Sequence, residues 1–353
     1  MDNQKGTFFL SLAGFTYSRG GVYLNSKNRI CTEKDRYLEI PNGFWRNIFR
    51  LIEKIKLLAS DASNIVVLSP SHLLVPFIKI TTGKRIILDA GWSLTEAEIT
   101  RWQGIRNFPR ILKCIAIDFI AFQLATKIFV ESNQQKIYIA SKFFVRNRKI
   151  FVLFTGINEA NFAALSQKPI EITGPIEDRI VPIVLFRGSY TKEAGLELLA
   201  EVSKRMETNN IQFVISCRDI PKEITFAKNT ALISRNISNN EMKYLYENAA
   251  VCIGQISDRP RLKNTIPHKA FEAAFFRKPY LTADASGIRE LFPSNNQCFY
   301  LSEITIASLE KAIIEIIGNV TLQKNLSSSI SKRYEAVATQ EILSERFFTL
   351  ISD

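Results

Sequence analysis

Cysteine is scarce in this chain and poorly placed for structural chemistry. Cys31, Cys114, Cys217, Cys252 and Cys298 are odd in number, far apart and free of any Cys-x-x-Cys pair. That spacing argues against a disulfide framework and against a zinc site. Neither Gly-x-Gly-x-x-Gly nor Gly-x-x-x-x-Gly-Lys-Ser/Thr occurs, so dinucleotide oxidoreduction and P-loop chemistry lack their fingerprints. Asp-x-Asp is also missing, which disfavours a divalent cation held between paired aspartates, and no metal site is expected.

Long apolar runs are missing too. The first residues, Met1 to Gly14, show no basic leader ahead of an extended apolar region; Phe8 to Phe15 therefore reads as a first buried strand, and a cytoplasmic location is expected. The most apolar helical stretch, Ile111 to Ala125, is broken by Lys113 and Asp118 and is shorter than the roughly 20 residues of a membrane span. No Pro, Ser or Gln tract argues for disorder, and a composition of 46% hydrophobic and 23% charged residues is that of a folded chain.

What is present is length and positive charge. At 353 residues the chain exceeds what one hydrophobic core usually serves, so two domains of roughly 150 to 180 residues are expected. Forty-six Lys and Arg against 34 Asp and Glu give a net charge of +12. Such an excess calls for an anionic partner: phosphate, nucleic acid or an anionic lipid surface.

Short apolar runs alternate with longer amphipathic stretches, the pattern of strand-helix units around a parallel sheet. In the first half the strands are Phe8–Leu12, Ile65–Leu68, Arg85–Leu88, Lys127–Val130 and Ile150–Leu153, with helices near Phe44–Ala59, Leu73–Ile80, Ile111–Leu124 and Asn133–Phe143. Gly156 to Val181, with Pro169, Gly174, Pro175 and Pro182 at its end, reads as a linker. The pattern restarts with strands at Ile183–Phe186, Gln212–Ser216, Thr230–Ile233, Ala250–Gly254, Tyr280–Thr282 and Cys298–Leu301. Helices at Gly195–Glu207, Asn240–Glu247, Pro267–Phe276 and Ile304–Ile317 separate them. The fold class is α/β, two Rossmann-like domains facing across a cleft, at 1–165 and 166–334. Two helices are expected over Leu322–Ile351, with 335–353 crossing back onto the first domain.

Ligands of such domains gather at the carboxyl ends of the strands, and four segments fall there. Arg187, Gly188, Ser189 and Lys192 follow the first strand of the second half; Gly188 lets a phosphate approach the backbone and Arg187 or Lys192 supplies charge. The competing reading is an ordinary turn with solvated charges. In Asn264-Thr265-Ile266-Pro267-His268-Lys269-Ala270-Phe271-Glu272, Pro267 suits a first helical turn capped by Asn264 or Thr265. Lys269 and Glu272 then share one helix face, the lysine for a nucleotide's diphosphate and the carboxylate for ribose hydroxyls; the alternative is a surface i,i+3 ion pair. Ser286, Gly287 and Ile288 follow the strand at Tyr280 and offer backbone N–H groups to a phosphate or sugar. In the first half, His72 after Ser69-Pro70-Ser71, and Asp89, Gly91 and Trp92 after the next strand, are acceptor-side candidates; a lone histidine is more often structural.

With these segments in order the chain resembles the GT-B glycosyltransferases of family 4 over nearly its whole length. Phe186-Arg187-Gly188-Ser189 is similar to the family's phosphate-side glycine loop. Ile266 to Glu272 looks like its Pro-Asn-Lys-x-Phe-Glu helix start, and Arg277 to Glu290 is similar to the segment closing that site. In the first half Ser69–His72, Gly83–Asp89 and Phe151–Ile157 follow the family's acceptor-domain layout. The resemblance implies a retaining transferase with a nucleotide-sugar co-substrate, no other cofactor, and a glycan or lipid-linked glycan acceptor. Arg187, Lys269 and Glu272 take the catalytic positions. Three departures stand out: Asn264 replaces the first glutamate of the family's Glu-x7-Glu pair, Ala194 replaces a basic residue, and the N-terminal glycine loop is reduced to Gly20-Gly21.

Two other readings compete with glycosyl transfer. A nucleotide-sugar epimerase on the same fold wants several carboxylates and a histidine at the site, and only His72 and His268 are available. A non-catalytic binder fits the charge, Asn264 and Ala194, but no nucleic-acid-binding motif occurs and no nucleic-acid partner is expected. Finally, Phe44 to Leu58 combines Phe44, Trp45 and Phe49 with Arg46, Arg50, Lys54 and Lys56 at helical spacing. It suits a helix lying on an anionic membrane as well as one packed on its own sheet.

Overall fold

The computed structural model describes residues 6–15, 18–24, 34–40, 48–100, 107–163 and 181–352. The chain divides into two compact units, Met1–Asn158 with Thr339–Asp353, and Glu159–Ala338. The expected boundary at 165 lies outside the described residues.

The first unit runs β1 (Gly6–Ser11), α1 (Ser18–Leu24), β2 (Arg36–Glu39), α2 (Ile48–Ala59), β3 (Ala62–Val67), α3 (Leu74–Thr82), β4 (Ile86–Gly91), α4 (Leu94–Thr100), α5 (Phe108–Leu124), β5 (Lys127–Val130), α6 (Asn133–Lys142) and β6 (Ile150–Val152). The second runs α7 (Ala160–Ala163), β7 (Ile183–Ser189), α8 (Leu196–Arg205), β8 (Gln212–Arg218), β9 (Thr230–Ile233), α9 (Asn239–Asn248), β10 (Ala249–Ile253), α10 (His268–Phe275), β11 (Tyr280–Ala283), α11 (Ser286–Leu291), β12 (Phe299–Leu301), α12 (Ile306–Gly318) and α13 (Val320–Val337). The closing helix α14 (Gln340–Ser352) belongs to the first unit.

Each unit holds a six-stranded parallel sheet, in the orders β2-β1-β3-β4-β5-β6 and β12-β11-β10-β7-β8-β9. These are the two Rossmann-like domains of the expected α/β class. In the first sheet the strand order reverses between β1 and β3, in the second between β7 and β10. Crevices outside the carboxyl ends of the strands open at such reversals.

Strand alternation builds a core on both faces of the first sheet. Phe8, Leu10, Ile65, Val67, Ile86, Leu88, Ile128 and Val130 point to one side, where α2, α3, α5 and α6 cover them. Phe9, Val66, Ile87 and Phe129 point to the other, where α1 and α14 supply Val22, Tyr23, Leu343, Phe347 and Ile351. Phe347 stacks on Tyr23 at 4.8 Å between ring centroids and meets Phe129 edge-on at 5.7 Å. In the second unit Val184, Phe186, Phe213, Ile215, Val251 and Ile253 pack against α8 and α12 through Leu199, Val202, Leu309 and Ile313.

Several elements differ from the expectation. The edge strand β2 exposes two of its four residues and buries only Leu38, so it carries no apolar run to read. Gly20 and Gly21 are not a loop: both lie within α1, where Gly20 packs closely under Leu68 and Phe15. Of the aromatic-basic helix expected from Phe44, the described part begins at Ile48; Phe44, Trp45 and Arg46 lie outside the described residues. Neither Asn264 nor Thr265 caps α10. Pro267 itself is the N-cap, Asn264 ends a 3-10 turn over Pro260–Lys263, and the Thr265 hydroxyl donates to the Arg261 carbonyl at 3.3 Å.

Candidate active site

The carboxyl ends of β7 and β8, next to the strand-order reversal, form the wall of a pocket of about 320 Å³. Arg187, Gly188 and Ser189 come from β7; Ser216, Cys217 and Arg218 come from β8. Arg235, Asn236 and Ile237, ahead of α9, close one side, while Gln255 and the start of α10, Pro267 to Lys269, close the other. Among the described residues, four cationic side chains and no carboxylate line this space. Gly188 has φ +154°, a conformation that L side chains rarely adopt, and it leaves the Lys269 ammonium open on that side: an added Cβ would stand 3.6 Å from Nζ.

Glu272 is the fixed point of the site. It is fully buried on the second turn of α10, yet it has three side-chain partners. Arg187 Nη1 pairs with Oε1, the His268 Nδ1 lies 2.9 Å from the same oxygen, and the Tyr246 hydroxyl donates to Oε2 at 2.6 Å. Burial alone would raise the carboxyl's pKa; the Arg187 charge and the bonds from His268 and Tyr246 override it and hold it at about 2. An ionised Glu272 makes His268 Nδ1 the donor, which turns Nε2 away from it.

Lys269 takes a different path from the same helix. It forms no ion pair with Glu272; its Nζ lies 3.8 Å over the Phe186 ring centroid and donates to the Gly254 carbonyl at 3.2 Å. A cation–π contact and one carbonyl are weak compensation for burial. Burial therefore drops its pKa to about 7, despite the opposing pull of Glu272. Burial also pushes the Cys217 thiol up to about 11, so a neutral thiol lines the pocket.

The other donor-side candidates stand elsewhere. Lys192 is exposed on the turn after β7, and Thr265 and Ile266 are buried below the start of α10. Ser286, Gly287 and Ile288 open α11 and do not line the pocket. Gly287 packs against the Thr265 carbonyl so closely that a Cβ would stand 2.4 Å from its oxygen, which fixes α11 to the segment before α10.

In the first unit the four acceptor-side candidates occupy the carboxyl ends of β3 and β4. Asp89 is fully buried and accepts from Arg19 Nε at 2.8 Å; Arg19 also donates to the Leu153 carbonyl and to Thr155 Oγ1. Gly91 (φ +70°) abuts Arg19, and Trp92 is half-buried beside it in sequence. His72 is also fully buried, with its Nε2 4.0 Å from Asp118 Oδ1; burial lowers its pKa. Asp118, which in sequence only interrupts an apolar stretch, accepts from Ser93 Oγ and the Thr95 backbone at 2.7 and 2.9 Å and so caps α4.

No family model matches this chain, and no curated protein sequence matches it. Its backbone, however, is similar end to end to solved structures. Sucrose-phosphate synthase (tll1590) from Thermosynechococcus elongatus superposes with a TM-score of 0.74 at 13% identity, covering 99% of this chain and 98% of that one. HepE of Anabaena, solved in complex with UDP-glucose, gives 0.71 at 9% identity over 99% and 100%. A putative UDP-N-acetylglucosamine 2-epimerase from Listeria monocytogenes gives 0.58 at 11% identity over 99% and 96%. The chain has the GT-B fold.

Within this GT-B chain, sequence reasoning missed Tyr246, Arg218, Arg235 and Asn236. A signal was available for the last three, since they follow the predicted strands at Gln212 and Thr230, and strand ends line the crevice of such sheets. Tyr246 carried none: on α9 it reads as one more apolar contact, and only the fold brings its hydroxyl to Glu272.

Proposed function

We propose that this GT-B chain is a glycosyltransferase. It takes a sugar from a nucleotide-sugar donor, whose diphosphate lies in the pocket of the second unit, and passes it to a glycan or lipid-linked glycan. The observation that carries this reading is the cationic pocket at the β7 and β8 ends, where Lys269 is buried with no carboxylate partner among the described residues. A diphosphate is the ligand that would complete such a site. As the bond from the sugar's anomeric carbon to the diphosphate oxygen breaks, the electron pair stays on the leaving oxygen, and Lys269 with Arg187 stabilises it. The acceptor hydroxyl's proton passes to that same oxygen, so a retained configuration needs no further base. Glu272 acts through others, holding Arg187 and the His268 ring; Ser189 and the backbone near Gly188 complete the phosphate contacts. The first unit, through the segments of His72, Asp89, Gly91 and Trp92, receives the acceptor.

The work place we propose is the cytoplasmic face of a membrane, in cell-surface polysaccharide or glycoconjugate synthesis. Free Cys114, Cys217, Cys252 and Cys298 support a reducing compartment. No helix of the described residues is long and apolar enough to cross a membrane, but α2 exposes Phe49 and Leu57 beside Arg50, Lys54 and Lys56, as a surface-lying helix would.

Incubation with a panel of nucleotide sugars and candidate acceptors tests the reading through release of nucleoside diphosphate. The likeness to the Listeria protein keeps epimerisation as a second reading, which the same assay separates by sugar interconversion without an acceptor. That no carboxylate lines the pocket among the described residues argues against it. Neither release nor interconversion, with no nucleotide bound, would leave a non-catalytic protein.

A further inference from the structure

The first unit carries a second pocket, of about 770 Å³, at the opposite ends of its strands from His72 and Asp89. Lys127 opens β5 and Lys149 precedes β6; with Arg146, Arg148, Phe144 and Phe151 they line it, and among the described residues no carboxylate does. Two of the cations have structural work. Lys149 Nζ donates to the Phe122 and Gln123 carbonyls at the end of α5, and Lys127 Nζ donates to the Leu350 carbonyl of α14. The side chains of Arg146 and Arg148 are exposed, and neither forms an ion pair or hydrogen bond among the described residues. Burial, and then the Arg146 charge, lowers the pKa of Lys149, as expected where like charges crowd without an anion.

Phe144 adds an independent observation. The Val145 N–H reaches back to the Ala140 carbonyl and the Phe143 N–H to Ile139, closing α6 with Phe144 at φ +54°. Glycine is the usual residue at that left-handed position. A phenylalanine 81% exposed there serves neither backbone nor core. One turn further along the neighbouring helix, α5 presents Phe108, Leu112, Ile115 and Phe119, each 40 to 50% exposed. Their spacing of four, three and four places them in one stripe that runs into Gln123, a lining residue of the pocket. A cationic pocket at the end of an apolar stripe has the chemistry of an amphiphile with an anionic head.

We propose that this pocket binds the phosphate headgroup of an anionic phospholipid, with Phe144 and the α5 stripe against the acyl region of the bilayer. The inference rests on the membrane reading above and adds to α2 a distinct site. Of the fourteen large hydrophobic side chains that stand exposed among the described residues, only Leu232, Ile314 and Val320 belong to the second unit, so the exposed apolar surface is concentrated in the unit that carries the pocket.

The test uses the full chain and vesicles of phosphatidylcholine, with or without about one third phosphatidylglycerol, at low and moderate salt. Arg146→Gln with Arg148→Gln should cut partition onto the anionic vesicles about 25-fold at low salt, about fivefold for each charge. Phe144→Gly should also weaken partition while raising the melting temperature, because glycine relieves the left-handed backbone. Affinity for UDP should not change in either variant. Vesicle binding untouched by these variants but lost in Lys54→Gln with Lys56→Gln would overturn the pocket and leave the membrane reading intact. No vesicle binding by the parent chain would overturn both. Inorganic phosphate captured as tightly as the anionic vesicles would make this a free-phosphate site and end the lipid proposal.

Discussion

Arg187 and Glu272 are 85 residues apart in the chain and form one ion pair in the second unit, the guanidinium part-exposed in the pocket and the carboxylate sealed beneath it. The pair sets the direction of the site. Glu272 spends both oxygens on protein donors, and Arg187 and His268 turn what remains of their hydrogen-bonding capacity toward the ligand space.

Replacing Glu272 with Ala should therefore act on folding and on donor binding together. Tyr246 loses its acceptor in a buried place, and the whole change should cost about 3 kcal/mol of stability. UDP affinity should fall at least tenfold as Arg187 loses its anchor, with Glu272→Gln between the two. Urea unfolding and calorimetric UDP titration measure both; a folded Ala variant with unchanged UDP affinity would remove Glu272 from the donor site. The same carboxylate predicts an acid limb. Its folded pKa of about 2 lies below the ordinary value, so its contribution is complete above about pH 4.5 and is lost as pH falls toward 2. Integrated, that is about 3 kcal/mol, and the Gln variant should have a shallower acid limb.

Lys269 predicts a trade of stability against binding. Its folded pKa of about 7 lies below the ordinary lysine value, so the unfolded chain holds more protons between about pH 7 and 10.5 and stability should rise with pH across that window. Below pH 7 the fold carries the full cost of a buried ammonium. Lys269→Met should be more stable there, by roughly 2 to 4 kcal/mol, and should bind UDP at least tenfold more weakly. Parent affinity for UDP should fall as pH rises past 7. A Met variant less stable than the parent at pH 6 would show that Lys269 is well solvated or paired.

Much of this was legible beforehand, and the exceptions have physical causes. The parallel sheets were readable because their central strands are buried on both sides, which forces runs such as Ile65–Leu68 and Ile183–Phe186. The short edge strand β2 and the seven-residue helices α1 and α4 bury too few apolar residues to show a period. Arg187, Lys269 and Glu272 could be marked as candidates from their places at strand and helix ends. Their pairing could not: helical spacing joins Lys269 to Glu272, whereas the fold sends Lys269 to Phe186 and gives Glu272 to Arg187. Nor could the burial of His72 and Asp89, which depends on Arg19 arriving from α1 and on Phe122 packing edge-on at 5.6 Å from the His72 ring.

Glycosyl transfer should survive chelation. In the proposed reading the charge of a bound diphosphate would be met by Lys269 and Arg187, which line the pocket. Activity assayed before and after EDTA should agree within twofold. Loss that manganese or magnesium restores would place a cation at the diphosphate and reassign the two basic side chains.

The Arg19–Asp89 pair should prove to be an architectural device of the first unit, separable from donor binding. Both side chains are fully buried, and Arg19 ties α1 to the ends of β4 and β6 through Asp89 and the Leu153 carbonyl. Removing one partner strands a charge where water cannot reach it, so Arg19→Met and Asp89→Leu should each destabilise by about 3 to 5 kcal/mol. The double variant strands neither charge. It should recover most of that loss, giving a coupling energy well above the error of a double-mutant cycle. UDP affinity should stay level in all three, because the described residues that line the proposed donor pocket lie in the other unit. Additive losses in the cycle would mean that the two side chains stabilise independently, and a parallel fall in UDP affinity would show that the first unit's strand ends help to hold the nucleotide.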